Sequence, residues 1–234
     1  MADFRFKKFS LKDDASAMKI GADSALFGSW MDVSGAERLL DAGCGCGILA
    51  LMAAQRLEDA GVPDFHIDAI DIEAGAVADS ADNFTASPWA EHLDVRQISL
   101  QVFADEADPA SYDVIFCNPP YYDDSPSSRS AERDTARSTD TLSRRDLLFA
   151  AAKLLSERGR FSLILPFDQG KKMILEATLF GWFLRRQCFV KTKKGALPKR
   201  LMLEFSPAAP SRLETETLVI GDERYKQLTS EFYL

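Results

Sequence analysis

The sequence predicts an α/β fold: a mostly parallel sheet with helices on both faces. Three observations carry this. Short apolar strand patterns alternate with amphipathic helical ones between Arg38 and Leu165. Tyr112–Cys117 (YDVIFC) is a continuous apolar run suited to a strand covered on both sides. A glycine-rich turn joins the first strand of the series to the helix after it.

In chain order, Arg38–Ala42 reads as a strand and Ile48–Leu57 (ILALMAAQRL) as its helix. His66–Asp71 is a second strand and Glu73–Phe84 a second helix. Leu93–Ile98 is a weaker third strand and Tyr112–Cys117 a fourth. Arg144–Leu155 is a helix ended by Gly159, and Phe161–Leu165 a fifth strand closed by Pro166. Such alternation calls for right-handed crossovers between parallel strands. The pattern then changes. Trp182–Lys191 and Lys199–Ser206 are two long strands joined by Thr192–Pro198, a connection short enough to make them antiparallel. Thr217–Ile220 adds an edge strand and Asp222–Phe232 a terminal helix. The interval Tyr122–Thr141 has no apolar periodicity and is rich in Ser, Asp and Arg, the composition of a functional or disordered loop.

With 234 residues, 46% of them hydrophobic, the chain can bury one sizeable core. The net charge of −8 hides an asymmetry. Residues 1–130 carry 9 Lys+Arg against 23 Asp+Glu, whereas residues 129–200 carry 17 against 7. An acidic half joined to a basic stretch suggests an anionic partner on one face. No apolar run approaches the ~18 residues of a membrane span, and Met1–Lys12 lacks the apolar stretch of a signal peptide. Cys44, Cys46, Cys117 and Cys188 form no disulfide framework, so the cytoplasm is the expected compartment. No metal site is expected: Cys44-x-Cys46 is too tight for a zinc knuckle, and His66 and His92 are the only histidines.

The turn Asp41-Ala-Gly43-Cys-Gly45-Cys-Gly47 follows a strand and opens a helix. Its glycines permit sharp turning and close approach to a ligand. A dinucleotide fingerprint starting at Gly43 needs Gly or Ala at position 48, where Ile48 stands, which speaks against a nicotinamide oxidoreductase. Asp41 would suit a cationic ligand group, such as the amino group of an amino-acid tail. Directly after the fourth strand comes Asn118-Pro119-Pro120-Tyr121, at the end of the sheet where α/β folds bind ligands. An exocyclic aromatic amine is a poor nucleophile because its lone pair is delocalised into the ring. Two acceptors on its N–H bonds, the side-chain oxygen of Asn118 and the carbonyl of Pro119, would turn that lone pair outward. Consecutive prolines would hold the acceptors still, and Tyr121 would offer a stacking face. Cys117 continues an apolar strand and reads as core.

Together these motifs resemble motif I and the N-P-P-Y motif of the S-adenosylmethionine-dependent amino-group methyltransferases. A longer resemblance narrows the family. Phe4-Arg-Phe-Lys-Lys-Phe9, Ala17-Met-Lys-Ile-Gly-Ala-Asp23, Leu26-Phe-Gly-Ser-Trp30, Ser87-Pro-Trp-Ala-Glu91, Phe205-Ser-Pro207 and Phe232-Tyr-Leu234 are similar to the bacterial tRNA1(Val) (adenine-37-N6)-methyltransferases. The resemblance implies a Rossmann-like class I methyltransferase fold with a mostly parallel seven-stranded sheet and a C-terminal antiparallel hairpin. It implies residues 1–35 as a segment covering the cofactor pocket and 36–234 as the methyltransferase domain. It carries S-adenosylmethionine binding onto Lys19, Gly21, Asp23, Asp41, Gly43, Gly45, Gly47, Asp71, Ile72, Ser99 and Asn118, with Asp71 on the ribose hydroxyls. Ser99 departs from the family, which commonly has an acid there. Catalysis falls on Asn118, Pro119, Pro120 and Tyr121.

The implied partner is tRNA, bound by a monomer. Arg129, Arg133, Arg137, Arg185, Arg186, Lys191, Lys193, Lys194, Lys199 and Arg200 supply an expected phosphate-contacting rim. Phe4, Phe6 and Phe9 are expected to anchor the N-terminal segment rather than stack on bases. Two alternatives stay open at this point: a protein glutamine methyltransferase, which shares N-P-P-Y, and a tRNA-binding module with an inactive pocket.

Overall fold

The computed structural model describes residues 4–119 and 142–233. A small hairpin, β1 (Phe4–Arg5) and β2 (Ser10–Leu11), leads through a loop to α1 (Ala22–Trp30). The main series follows: β3 (Arg38–Ala42), α2 (Ile48–Asp59), β4 (His66–Asp71), α3 (Ala74–Thr85), β5 (Leu93–Gln97), α4 (Leu100–Glu106), β6 (Tyr112–Cys117), α5 (Arg144–Leu154), β7 (Leu155–Pro166), α6 (Phe167–Leu179), β8 (Phe183–Lys191), β9 (Arg200–Ser206), β10 (Glu214–Val219) and α7 (Glu223–Thr229). The strands β3–β10 form one sheet of eight in the order β10-β8-β9-β7-β6-β3-β4-β5. Strands β3 to β7 pair in parallel, while β9 runs antiparallel to both β7 and β8. The expected hairpin is therefore present. The sheet has eight strands where the resemblance implies seven; the eighth, β10, is the edge strand expected at Thr217–Ile220, and it runs parallel to β8.

Period-two alternation divides the core between the two faces of the sheet. Leu39, Val114, Phe116 and Ile164 pack with α1 and α2 on one face. Leu40, Ala42, Ile115, Cys117, Leu163 and Leu165 pack with α4, α5 and α6 on the other. Nearly every residue of α2 is buried, because α1 covers the side that the sheet does not. Full burial of one Leu or Ile side chain contributes roughly 1.5–3 kcal/mol, so these two layers supply the main stabilisation. Phe6 and Phe9 are buried and stack at 4.8 Å, with Phe9 edge-on to Trp89 at 5.9 Å; both aromatics anchor the N-terminal segment.

Helices α1, α4 and α6 are not evident in the sequence. Two contain a glycine that weakens the helical pattern but permits close packing. A Cβ at Gly28 of α1 would lie 2.5 Å from Met52 Sδ, and one at Gly170 of α6 would lie 2.9 Å from Leu201. Helix α4 is short and starts at Ser99, whose hydroxyl accepts from Val102 N at 3.2 Å. Among the described residues, no helix is long and apolar enough to cross a membrane.

The topology also locates a crevice. From β3 the chain builds outward through β4 to β5, then returns to lay β6 against the other side of β3. The carboxyl ends of β3 and β6 are thus the switch point of the sheet, where connections diverge and leave a cleft.

Candidate active site

A cleft of about 310 Å³ opens at that switch point. It brings together residues far apart in sequence: Lys19 and Ser24 from the N-terminal segment, Gly43 and Gly45 after β3, Asp71 at the end of β4 and Ile72 after it, Ser99 after β5, and Asn118 after β6. Gly43 (φ 77°) and Gly45 (φ 56°) hold left-handed backbone that a Cβ would strain. A Cβ at either would meet nothing within 4 Å, so bare backbone faces the cleft. Asp71 is pre-oriented by two backbone donors: Gly45 N to Oδ2 and Glu73 N to Oδ1, each at 3.0 Å. Each carboxylate oxygen keeps further acceptor capacity. Ile72, Ile98 and Leu100 add an apolar wall, and Met18 and Ile20 line the same space.

The N-terminal segment is held over this cleft by α3. Asp79 accepts from Ala15 N (3.0 Å), Ser16 N (2.7 Å) and Ser16 Oγ (2.7 Å), and Glu73 accepts from Ala17 N at 3.0 Å. Asn83 bridges Lys12 O and Cys46 O. Burial alone would raise the pKa of Asp79, but the hydrogen bonds from Ser16 and Ala15 outweigh it and hold the carboxyl below its ordinary value. Lys19 lines the cleft with its Nζ donating to the carbonyls of Asp13 and Asp14. Sequence reasoning misses all of these α3 contacts; the available signal is a run of polar residues, Glu73, Asp79 and Asn83, on a helix packed against protein.

Several expected site residues lie elsewhere. Asp41 does not line the cleft. It is fully buried beneath the loop, with Oδ2 accepting from Ala50 N at 3.1 Å and Oδ1 lacking a hydrogen-bond partner. It braces the start of α2, because strand alternation puts it on the same face as Leu39, under that helix. Gly47 (φ 82°) is the N-cap of α2 and packs against Phe84. Gly21 is the N-cap of α1. Asp23 lies beside the cleft and pairs with Arg200 Nε at 2.7 Å. Ser99 does line the cleft, but its hydroxyl already caps α4. Pro119 is buried directly after Asn118. Pro120, Tyr121, Arg129, Arg133 and Arg137 lie outside the described residues.

The basic rim also needs correction. Arg185 and Arg186 sit near the start of β8, at the end of the sheet opposite the cleft, because β8 runs parallel to β7. Both contact the buried Glu204, through Arg185 Nε and Arg186 Nη1 at 3.2 Å each, and Arg186 stacks over Trp30 at 4.4 Å. By contrast, Lys191, Lys193, Lys194 and Lys199 lie at the cleft end of the hairpin, where Arg200 pairs in register with Pro166. Lys193, Lys194 and Lys199 are exposed.

The thiols are inert. Cys44, Cys46 and Cys117 are buried, and burial pushes all three up, Cys46 to about 12. His66, Asp68 and Asp94 bring candidate ligand atoms within 4.8 Å of one another, but at the far end of β4 from the cleft. There Asp68 already accepts from Arg38 and Tyr112.

Burial pushes the Asp41 carboxyl to about 8, against the pull of the Ala50 amide and with a further rise from Asp71. It is therefore largely protonated at neutral pH. An acid whose folded pKa exceeds its unfolded one costs stability as pH rises from the unfolded value towards the folded one. Asp41→Asn is expected to remove that slope. Between about pH 5 and pH 8 the Tm of the variant should fall less than that of the parent chain. Parallel Tm profiles would refute the protonated state.

A glycine cradle, a braced acid ending the second main strand and an amide after the fourth, all at one switch point, are the arrangement expected of a methyltransferase. Residues 14–183 match the methyltransferase small domain model. The tRNA1(Val) (adenine(37)-N6)-methyltransferase of Tolumonas auensis is 40% identical, over 99% of this chain and 96% of its own length. That of an Enterobacter species is 39% identical, over 99% and 94%. Among solved structures, a predicted O-methyltransferase from Agrobacterium tumefaciens superposes with a TM-score of 0.65 at 15% identity, covering 89% of this chain and 96% of that one. The chain belongs to the tRNA1(Val) (adenine(37)-N6)-methyltransferase family.

Proposed function

We propose that the protein transfers a methyl group from S-adenosylmethionine to the exocyclic N6 of adenosine 37 in tRNA(Val). The observation that carries the reading is the meeting of Asn118 with the glycine cradle and Asp71 across one cleft. The residues fit such a cofactor. Asp71, fixed by two backbone amides, has acceptors for two ribose hydroxyls, and Ile72, Ile98 and Leu100 offer a purine an apolar wall. The bare backbone at Gly43 and Gly45 leaves room for close approach. When bound, S-adenosylmethionine supplies an electrophilic methyl on a sulfonium whose departure needs no acid.

The chain's own task is to position the amine. Asn118 Oδ1 and the Pro119 carbonyl accept the two N6–H bonds, turning the nitrogen lone pair towards the cofactor side of the cleft. The methylated nitrogen would be acidic enough to give its extra proton to water, so no strong base is required of the chain. The resemblance gives Tyr121, outside the described residues, the role of a stacking face for the base. Lys19 and its neighbours close the cofactor side, and Lys193, Lys194 and Lys199 contact tRNA phosphates. The same reading has a cytoplasmic monomer working without a metal.

The test is methylation of tRNA from cells lacking the gene, with the product located by mass spectrometry. N6-methyladenosine at position 37 of tRNA(Val) is expected. Labelling of a protein extract with none in tRNA would overturn the reading in favour of glutamine. For the rim, reversing charge at Lys193 and Lys194 should weaken tRNA binding and flatten its dependence on log salt, because fewer phosphates are neutralised and fewer counterions released. Cofactor affinity should not change. An unaltered salt slope would remove these lysines from the interface.

A further inference from the structure

Asn118 is held by a side chain from a distant segment. Its Nδ2 donates to Ser24 Oγ at 2.9 Å, across a sequence separation of 94 residues. Ser24 is 9% exposed, lines the same cleft, and stands in the first turn of α1. That turn is itself fixed. Ser24 N donates to Gly21 O at 3.1 Å, the adjacent Asp23 pairs with Arg200, and α1 packs close on α2 at Gly28.

An asparagine amide is a poor acceptor unless its plane is held. Its two ends are nearly identical in shape but opposite in hydrogen-bonding character. A half-turn would aim Nδ2, a donor, at an amine that is itself a donor. Ser24 Oγ accepts from Nδ2, which leaves Oδ1 on the other branch; because a hydroxyl can also donate, the contact fixes the plane of the amide, and the donor character of the amine selects the oxygen end. We infer that Ser24 is a positioning residue for methyl transfer: it holds the plane of the Asn118 amide in place, so that its oxygen meets the substrate amine. This rests on the proposed role of Asn118 and adds a residue outside the N-P-P-Y tetrapeptide. It also gives the N-terminal segment a part in chemistry as well as in covering the cofactor.

The test is steady-state methylation of tRNA, with cofactor affinity measured separately by calorimetry. Ser24→Ala should lower kcat about tenfold, the scale of one polar contact, with the KM for tRNA and the cofactor Kd within about twofold of the parent. Ser24→Thr and Ser24→Val form an isosteric pair that differs in the hydroxyl alone. The threonine variant should turn over about tenfold faster than the valine variant at equal Tm. In an Asn118→Ala background, Ser24→Ala should cause little further loss, because the two residues act as one unit. Equal kcat for the threonine and valine variants, or fully additive losses, would overturn the inference. Asn118→Ala with near-parent transfer would instead overturn the role of Asn118 itself, so the two failures are distinguishable. Should Ser24→Ala fail to fold, the Thr/Val comparison still decides.

Discussion

Asn118→Ala should lower methyl transfer at least ~100-fold while leaving S-adenosylmethionine affinity nearly unchanged, the scale seen when a preorganised polar contact is removed from a reacting centre. The two halves of that expectation come from different parts of the cleft. Asn118 follows β6, whereas Asp71 ends β4 and the glycine cradle follows β3. Removing the amide deletes an acceptor at the amine and leaves the Asp71 bonds to Gly45 and Glu73 in place. The loss should therefore fall on kcat, and single-turnover rates with bound cofactor would show it directly. Asn118→Asp is informative beside it. A carboxylate still accepts, and Ser24 can reverse its role and donate to it, so part of the rate should return. Near-parent transfer by the alanine variant would remove Asn118 from the chemistry.

The parts of this site that can be read from the sequence share a feature: each is local. The glycine turn, Asp71 and Asn118 each sit at or directly after the end of a strand, and a strand end in a parallel sheet is a place as well as a pattern. Alternation within β6 also places Cys117 in the core. What cannot be read depends on contacts between distant segments. Ser24 is one hydroxyl in a short apolar helix, and nothing within Ala22–Trp30 tells that its partner stands after β6. Asp79 and Asn83 look like the solvent face of α3 until the N-terminal loop is laid across them. Asp41 and Arg185 are different cases, because the information is present. The parity of Asp41 with Leu39 turns it under α2, and the antiparallel hairpin sends the start of β8 away from the cleft. Composition assigns charge to a stretch of sequence, whereas strand direction decides which charges reach the rim. The rim is narrower than the charge count implies, with Lys193, Lys194 and Lys199 at its centre.

The second large effect is expected at Asp71. Asp71→Ala should weaken S-adenosylmethionine about 100-fold, on the basis of two hydrogen bonds to a charged acceptor at ~1.5–3 kcal/mol each, partly offset by water. The structure makes the usual conservative control unsafe. Both carboxylate oxygens already accept backbone N–H groups, from Gly45 and Glu73. An asparagine must place its Nδ2 against one of those donors, so Asp71→Asn loses an acceptor and gains a donor–donor conflict within the glycine cradle. It should bind the cofactor little better than the alanine variant, despite its matching shape. Calorimetry on the three chains separates the possibilities. Equal weakening in both variants assigns the loss to acceptors that the loop and the ribose share. A mild Asn phenotype beside a severe Ala one would mean that side-chain bulk matters and the paired acceptors do not. Unchanged affinity in both would place the ribose elsewhere. Because Gly45 loses its anchor in Asp71→Ala, the loop of that variant should also exchange its amide hydrogens faster, at Gly45 above all.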